Sequence, residues 1–214
     1  MKRTFYDDYY LKNEWKYDSI TEYNRLKLNV LPYISLASPK VIEIGCGLGF
    51  HTNLWHSLNY DIVGYDSSIV AINKAKECYP NVNYVHFDVS ELSSIYSAGS
   101  LDVIYCRGLS WYHYELNGIN TYNINITEKT EKIFHLLQPN GKFILEIITD
   151  HTGSRPANEV HNNTLNDYLA LFNRFGTCLS ARDWYGQKLS LENLDENLDK
   201  IGVTLVFEKR CNFK

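Results

Sequence analysis

The sequence predicts an α/β protein built on a mostly parallel sheet with helices on both of its faces. Three observations carry that prediction. The apolar run Val41-Ile42-Glu43-Ile44 passes directly into Gly45-Cys46-Gly47-Leu48-Gly49 and then into a helical stretch over 50–58, which reads as a buried strand, a tight turn and a helix N-terminus. Two further short apolar runs, 61–66 and 82–89, carry an aspartate at or near their ends, Asp66 and Asp88, with a helical segment between them. Strands separated by helices imply parallel pairing, because a parallel partner needs a crossover long enough to hold a helix.

Each element follows in turn. Residues 1–37 precede the sheet and carry Phe5, Tyr6, Tyr9, Tyr10, Trp15, Tyr17 and Tyr23 among acids and asparagines; spaced apolar residues over 19–34 predict an amphipathic helix. We expect this segment to precede one compact body over 38–214. Pro39 marks the start of the first strand. The three glycines, two apart, predict a backbone with positive φ that lets a ligand lie close. The dinucleotide fingerprint G-x-G-x-x-G would need glycine at position 50, where Phe50 stands, and that weakens a pyrophosphate-binding reading.

The second strand, 61–66, ends in Asp66, which lies 21 residues beyond Gly45. That is close to the spacing at which a carboxylate accepts hydrogen bonds from the two ribose hydroxyls of a bound nucleoside; the plainer role is a helix cap. Ser67 and Ser68 are N-cap candidates for a helix that Pro80 ends. A third strand over 82–89 and a fourth over 100–106 follow, and residues 107–114, Arg107-Gly108-Leu109-Ser110-Trp111-Tyr112-His113-Tyr114, come directly after the fourth. In open α/β sheets the ligand crevice lies beyond the strand C-termini, so this octapeptide is the main candidate for chemistry. Residues 115–126 read as a loop, 127–137 as a helix, Pro139-Asn140-Gly141 as a turn and 142–148 as a fifth strand. Beyond these, 150–163 is a polar loop with His151, Arg155 and His161, 165–175 a helix, 176–184 a sixth strand, 191–198 a short helix and 203–207 a strand.

Composition narrows the function. The 214 residues, 44% hydrophobic and 21% charged, suit a globular protein. A net charge of −4 without a basic stripe disfavours a nucleic-acid partner. No stretch approaches the roughly 20 apolar residues of a membrane span, and the first residues hold no apolar signal core. Five scattered cysteines without a C-x-x-C pair fit a reducing cytoplasm and argue against a zinc site or a disulfide framework.

The segment Glu43-x-Gly45-x-Gly47-x-Gly49 after a strand resembles motif I of the class I S-adenosylmethionine (SAM)-dependent methyltransferases, and the likeness extends over roughly 38–148. The run Leu137-Gln138-Pro139-Asn140-Gly141-Lys142 resembles the family's L-x-P-G-G-x element before strand five, with Asn140 replacing a glycine that asparagine can stand in for at left-handed φ. The resemblance implies a three-layer Rossmann-like methyltransferase fold with one antiparallel strand, SAM as cofactor with S-adenosylhomocysteine as product, and a small-molecule acceptor. It also implies roles: Glu43 holds the turn and the cofactor amino group; Gly45, Cys46, Gly47 and Gly49 form the turn; Asp66 and Ser67 bind the ribose end; Asp88 and the Val89 N–H bind adenine. The resemblance also implies that residues 1–37 form an N-terminal helical, aromatic cover over the cofactor and substrate; Tyr10 and Trp15 from that cover, with Cys106 and Arg107 at the end of strand four, complete the cofactor set.

Methyl transfer to a hydroxyl requires alignment and removal of a proton, for which histidine is suited near neutral pH. His113 is the first candidate base and His151 the second, while Tyr112 and Tyr114 could orient the acceptor. Arg107 either binds the cofactor carboxylate or an anionic acceptor, or pairs with Glu146. Cys106-Arg107 at the strand end offers no hard oxygen ligand, so no metal is expected. The octapeptide lacks the Asp/Asn-Pro-Pro-aromatic signature of many amino-methylating enzymes, which inclines the reading towards an oxygen acceptor, a sugar or other hydroxyl. Two other classes stay open: a nicotinamide-dependent oxidoreductase on a Rossmann fold, against which Phe50 counts, and a non-catalytic SAM-binding domain. A homodimer stays possible.

Overall fold

The computed structural model describes residues 5–12, 16–35, 37–114, 116, 125–150, 163–190 and 200–211. Its strands are β1 (Lys40–Ile44), β2 (Asp61–Asp66), β3 (Asn83–His86), β4 (Leu101–Arg107), β5 (Leu137–Asp150), β6 (Gly176–Asp183) and β7 (Lys200–Lys209). They form one sheet in the order β3-β2-β1-β4-β5-β7-β6. The first five strands pair in parallel, and β7 runs antiparallel to both β5 and β6. The helices are α1 (Phe5–Lys12), α2 (Ser19–Asn29), α3 (Phe50–Ser57), α4 (Ile69–Cys78), α5 (Ser110–Tyr114), α6 (Ile126–Leu136) and α7 (Leu165–Phe172). No helix among the described residues is long and apolar enough to cross a membrane.

Local chemistry sets the element ends. Asp18 and Ser68 accept from the N–H groups of Thr21 and Ala71, capping α2 and α4, and Thr164 with Asp167 closes a capping box on α7. The strand predicted from residue 142 begins five residues earlier, because Leu137 pairs with Leu101 across an irregularity in the β4–β5 ladder. Asn140 sits in that irregularity at φ 64°, the left-handed conformation that its resemblance to a glycine position implies. The octapeptide after β4 holds the one-turn helix α5. The short helix expected over 191–198 lies outside the described residues.

Successive residues of a strand point to opposite faces, and here that alternation sorts apolar from polar side chains. Ile42, Ile44, Ile104, Cys106, Phe143, Leu145 and Phe207 join the core that α6 and α7 cover through Ile133, Phe134, Tyr168 and Phe172. Val41, Val103, Tyr105, Ile144 and Val206 face the other way, onto Leu26 and Val30 at α2 and Leu54 and Trp55 of α3. By the same period Glu43, Arg107, Glu146 and Thr204 lie on the α2–α3 face, beside Tyr105.

The glycine turn depends on backbone that only glycine adopts without strain. Gly49 has φ 80°, and a Cβ there would lie 2.6 Å from the ring of Tyr84, a side chain with 1% exposure. Gly49→Ala therefore lowers stability by about 2 kcal/mol or more, from left-handed strain and overpacking together. Asn140→Gly, at an exposed left-handed position, changes it by less than about 1 kcal/mol. Urea unfolding of the two variants checks the contrast.

Candidate functional site

The site is built where the sheet opens. Gly45, Gly47 and Gly49 have φ of 74°, 52° and 80°, as the spacing predicted. The N–H groups of Gly45 and Cys46 both donate to the Tyr65 carbonyl, at 2.8 and 3.0 Å, which fastens the turn to the end of β2. Asp66 completes the fastening: its Oδ2 accepts from the Gly47 N–H at 2.9 Å and its Oδ1 from the Ser68 N–H at 2.8 Å. Burial pushes the Asp66 carboxyl above its ordinary range, opposed by those two N–H groups.

Beyond the turn lies a cavity of about 370 Å³ that reaches from the ends of β1 and β4 to β5. Glu43, Gly45, Cys46 and Gly47 line it, as do Arg107, Glu146, His113 and Trp184. Tyr10 lines it from α1, with its hydroxyl 2.8 Å from where a Cβ on Gly47 would stand. The helix is held there by Asp7, whose Oδ1 accepts from the Ser68 hydroxyl at 2.7 Å, and by Lys74, whose Nζ donates to the Tyr10 carbonyl at 2.7 Å.

The α2–α3 face of the sheet contributes a buried polar network. Arg107 Nη1 lies 2.6 Å from Glu146 Oε2 and 3.3 Å from Glu22 Oε2, and Arg25 Nη1 lies 2.7 Å from Glu22 Oε2. The pairing of Arg107 with Glu146, one of its two sequence readings, is thus present. His51 Nε2 is 3.1 Å from Glu22 Oε2; burial lowers the His51 pKa, so the ring stays neutral near pH 7 and its N–H can donate to the carboxylate. Tyr105 donates to Glu146 Oε2 at 2.8 Å. Burial alone would raise Glu22, but His51 and Arg107 hold it below the usual carboxylate range. Glu22, His51 and Glu146 are the group among the described residues that could hold a metal ion. Arg107 and Arg25 already stand between or beside those carboxylates and supply the positive charge.

The other predicted residues divide. His113 is 8% exposed and lines the cavity. Tyr112 requires correction: it is fully buried, packs against Phe143 and Phe172, and its hydroxyl lies 3.3 Å from Thr130 Oγ1 on α6, so it does not face an acceptor. Cys106 requires correction as a side-chain contact for the same geometric reason, because period-2 alternation turns it into the α6–α7 core while Arg107 faces the cavity. Asp88 is exposed and caps a 3₁₀ turn, accepting from the Ser90 N–H at 2.8 Å, and the Val89 side chain enters the core. Ser67 is exposed, with its carbonyl 3.0 Å from His86 Nε2. Gly49 lies behind the turn, against Tyr84. Trp15 and His151 lie outside the described residues, as do Arg155 and His161 and the Tyr114 side chain.

Sequence reasoning missed Glu22, Arg25, His51 and Trp184. One signal was there: Glu22, Arg25, Leu26 and Asn29 form the buried stripe of α2 at helical spacing, with three polar residues where a core stripe should be apolar. Trp184 carried no signal along the chain.

The cradle fits a nucleoside ligand. Its turn leaves the backbone bare, and the buried acids Glu43 and Asp66 flank it. Glu43 accepts from the Thr52 hydroxyl at 2.5 Å, yet burial pushes its carboxyl up to about 8. A folded-state value above the usual 4.5 means that this group's contribution to stability is full below about 4.5 and is lost as pH rises through about 8. Glu43→Gln removes that component: relative to wild type the variant gains melting temperature at pH 8 and not at pH 4.5, which a pair of thermal scans reads directly.

Residues 41–141 match a family profile described as a methyltransferase domain. A putative methyltransferase, 235L, of Invertebrate iridescent virus 6 is 44% identical over 64 residues, which are 28% of this chain and 24% of the viral protein; the match thus spans about a quarter of that relative's length. Among solved structures, PH0226 protein from Pyrococcus horikoshii OT3 superposes with a TM-score of 0.69 at 16% identity, over 95% of this chain and 99% of that one. Geranyl diphosphate C-methyltransferase from Streptomyces coelicolor A3(2), in complex with Mg²⁺, geranyl diphosphate and S-adenosylhomocysteine, gives 0.68 at 9% identity over 97% and 100%. The fold, the glycine turn braced by Asp66 and the profile match agree: residues 41–141 are similar to a methyltransferase domain, set in a mostly parallel Rossmann-like sheet.

Proposed function

We propose that the protein transfers the methyl group of SAM to a hydroxyl oxygen of a small molecule. The observation that carries the reading is that the Asp66-braced turn and His113 of α5 border one cavity. In this reading Asp66 takes the ribose hydroxyls, Asp88 and the Val89 N–H the adenine, and Glu43 the ammonium group. The Cys46-Gly47 backbone lies under the ligand and Tyr10 covers it, so that residues 1–37 act as a cover on a body of 38–214. When bound, the cofactor supplies a methyl carbon whose bond to sulfur breaks as the bond to oxygen forms, with the electron pair leaving on a neutral thioether. His113 takes the hydroxyl proton, and the cavity walls align oxygen and methyl.

Arg107 acts in this reading as a fixed counter-charge. Its Nη1 is committed to Glu146 and Glu22, which supports an uncharged acceptor in place of the anionic one that its presence first suggests. Five free cysteines support a reducing, cytoplasmic setting.

The test is transfer of labelled methyl from SAM to a panel of small hydroxyl compounds and amines, in wild type and His113→Ala. Turnover with hydroxyl acceptors that falls by about 10²-fold or more in the variant, at unchanged affinity for S-adenosylhomocysteine, is the expected result. Turnover with amines alone, or a His113→Ala enzyme as fast as wild type, contradicts it.

A further inference from the structure

We propose that Asn163 is a positioning residue for His113: its side-chain amide clamps both peptide units that flank the His113 Cα and so sets where the imidazole stands in the cavity. The proposal deepens the reading of His113 as the base of a methyl-acceptor site and rests on it for the reaction, while the clamp itself can be tested without turnover.

Asn163 stands 50 residues beyond His113 and is fully buried. Its Nδ2 donates to the Tyr112 carbonyl at 2.7 Å and to the His113 carbonyl at 3.1 Å. Those carbonyls belong to the peptide units 112–113 and 113–114. The planes of these two units define φ and ψ of His113, and with them the direction of its Cα–Cβ bond. Asparagine suits the task by its donor count. A primary amide carries two N–H donors, one for each carbonyl, whereas an ionised aspartate carries none and a serine one. A third acceptor, the Tyr168 hydroxyl, lies farther off at 3.4 Å. Because carbonyls only accept, the amide nitrogen and not its oxygen must face them.

The one-turn helix needs such a clamp. α5 spans five residues, Ser110–Tyr114, too few to hold themselves as a helix, and its last carbonyls have no partner further along the turn. Upstream it is fixed by other means: the Gly108 N–H donates to the Glu146 carbonyl at 2.9 Å, and the Tyr112 ring is buried against Phe143 and Phe172. Beyond the Tyr112 ring the Asn163 amide takes over. Asn163 in turn is firmly based. It directly precedes Thr164, the N-cap of α7, which closes a capping box with Asp167, and α7 is seated in the core by Leu165, Tyr168 and Phe172. The Asn163 amide oxygen has no hydrogen-bond partner among the described residues. A buried amide with one end unsatisfied is costly, and the two bonds around His113 are what the fold gains from it.

The test places ¹³C-labelled histidine in wild type, Asn163→Asp, Asn163→Ser and Leu171→Ala, with the His113 ring signal assigned by its loss in His113→Ala. Asn163→Asp keeps size and shape but replaces the donors by carboxyl oxygens; Asn163→Ser retains one donor and serves if the aspartate variant does not fold. Leu171→Ala truncates a core residue of α7 and leaves the amide in place, so it separates lost stability from lost positioning. With S-adenosylhomocysteine bound, the His113 signal is expected to move in both Asn163 variants and to stay in place in Leu171→Ala. In methyl transfer to the hydroxyl compounds of the panel, kcat falls about tenfold or more in the Asn163 variants at unchanged KM for SAM, and falls no further when either is combined with His113→Ala. An unmoved signal in a folded Asn163 variant, a signal moved equally by Leu171→Ala, or losses that multiply with that of His113→Ala overturns the proposal. A His113→Ala enzyme as fast as wild type, with the signal shift intact, sinks the base reading and leaves the clamp standing.

Discussion

The Asp66 carboxylate is the contact on which the rest of the site depends. One oxygen takes the Gly47 N–H and the other the Ser68 N–H, so a single buried side chain joins the glycine turn after β1 to the start of α4. Burying a carboxylate is costly, and two backbone donors offset that cost only because the turn aims the Gly47 N–H at β2. Asp7 reaches the same junction through the Ser68 hydroxyl, which places α1 and its Tyr10 over the turn. Loosening the carboxylate would therefore free the turn and the cover together.

A second constraint is the period of the strands. Arg107 pairs in register with Glu146 on β5, and Glu43 with Tyr105 on β4, so these side chains meet on one face near the strand ends. The network they form with α2 contributes little net stability, because pairing in a buried setting mainly repays desolvation. Its effect is positional: it holds two guanidiniums against Trp184.

How much of this could be read in the chain follows from what is local. β2 was legible to the residue, since its apolar run ends in Asp66, and the positive φ of the three glycines follows from their spacing. Asp66 could be placed beside the turn from its distance along the chain to Gly45, whereas its contact with the Gly47 N–H could not be read from the chain. Tyr112 and Cys106 were misplaced because sequence adjacency to Arg107 does not tell which face of the sheet, or of the one-turn helix α5, a residue takes. The wall at Trp184 was invisible for another reason: it needs Gly202 on β7, Arg107 on β4 and Arg25 on α2 at once, and only the closed sheet brings those together. The polar stripe of α2 marked a buried site without naming its partners.

The most direct measurement is calorimetric titration of the protein with S-adenosylhomocysteine and, separately, NADH, in wild type and in Asp66→Ala. Binding of S-adenosylhomocysteine to wild type that collapses in the variant, with no comparable binding of NADH, is the result expected of a methyl-donor site braced by Asp66. A preference for NADH, or S-adenosylhomocysteine binding that survives the loss of Asp66, would contradict it.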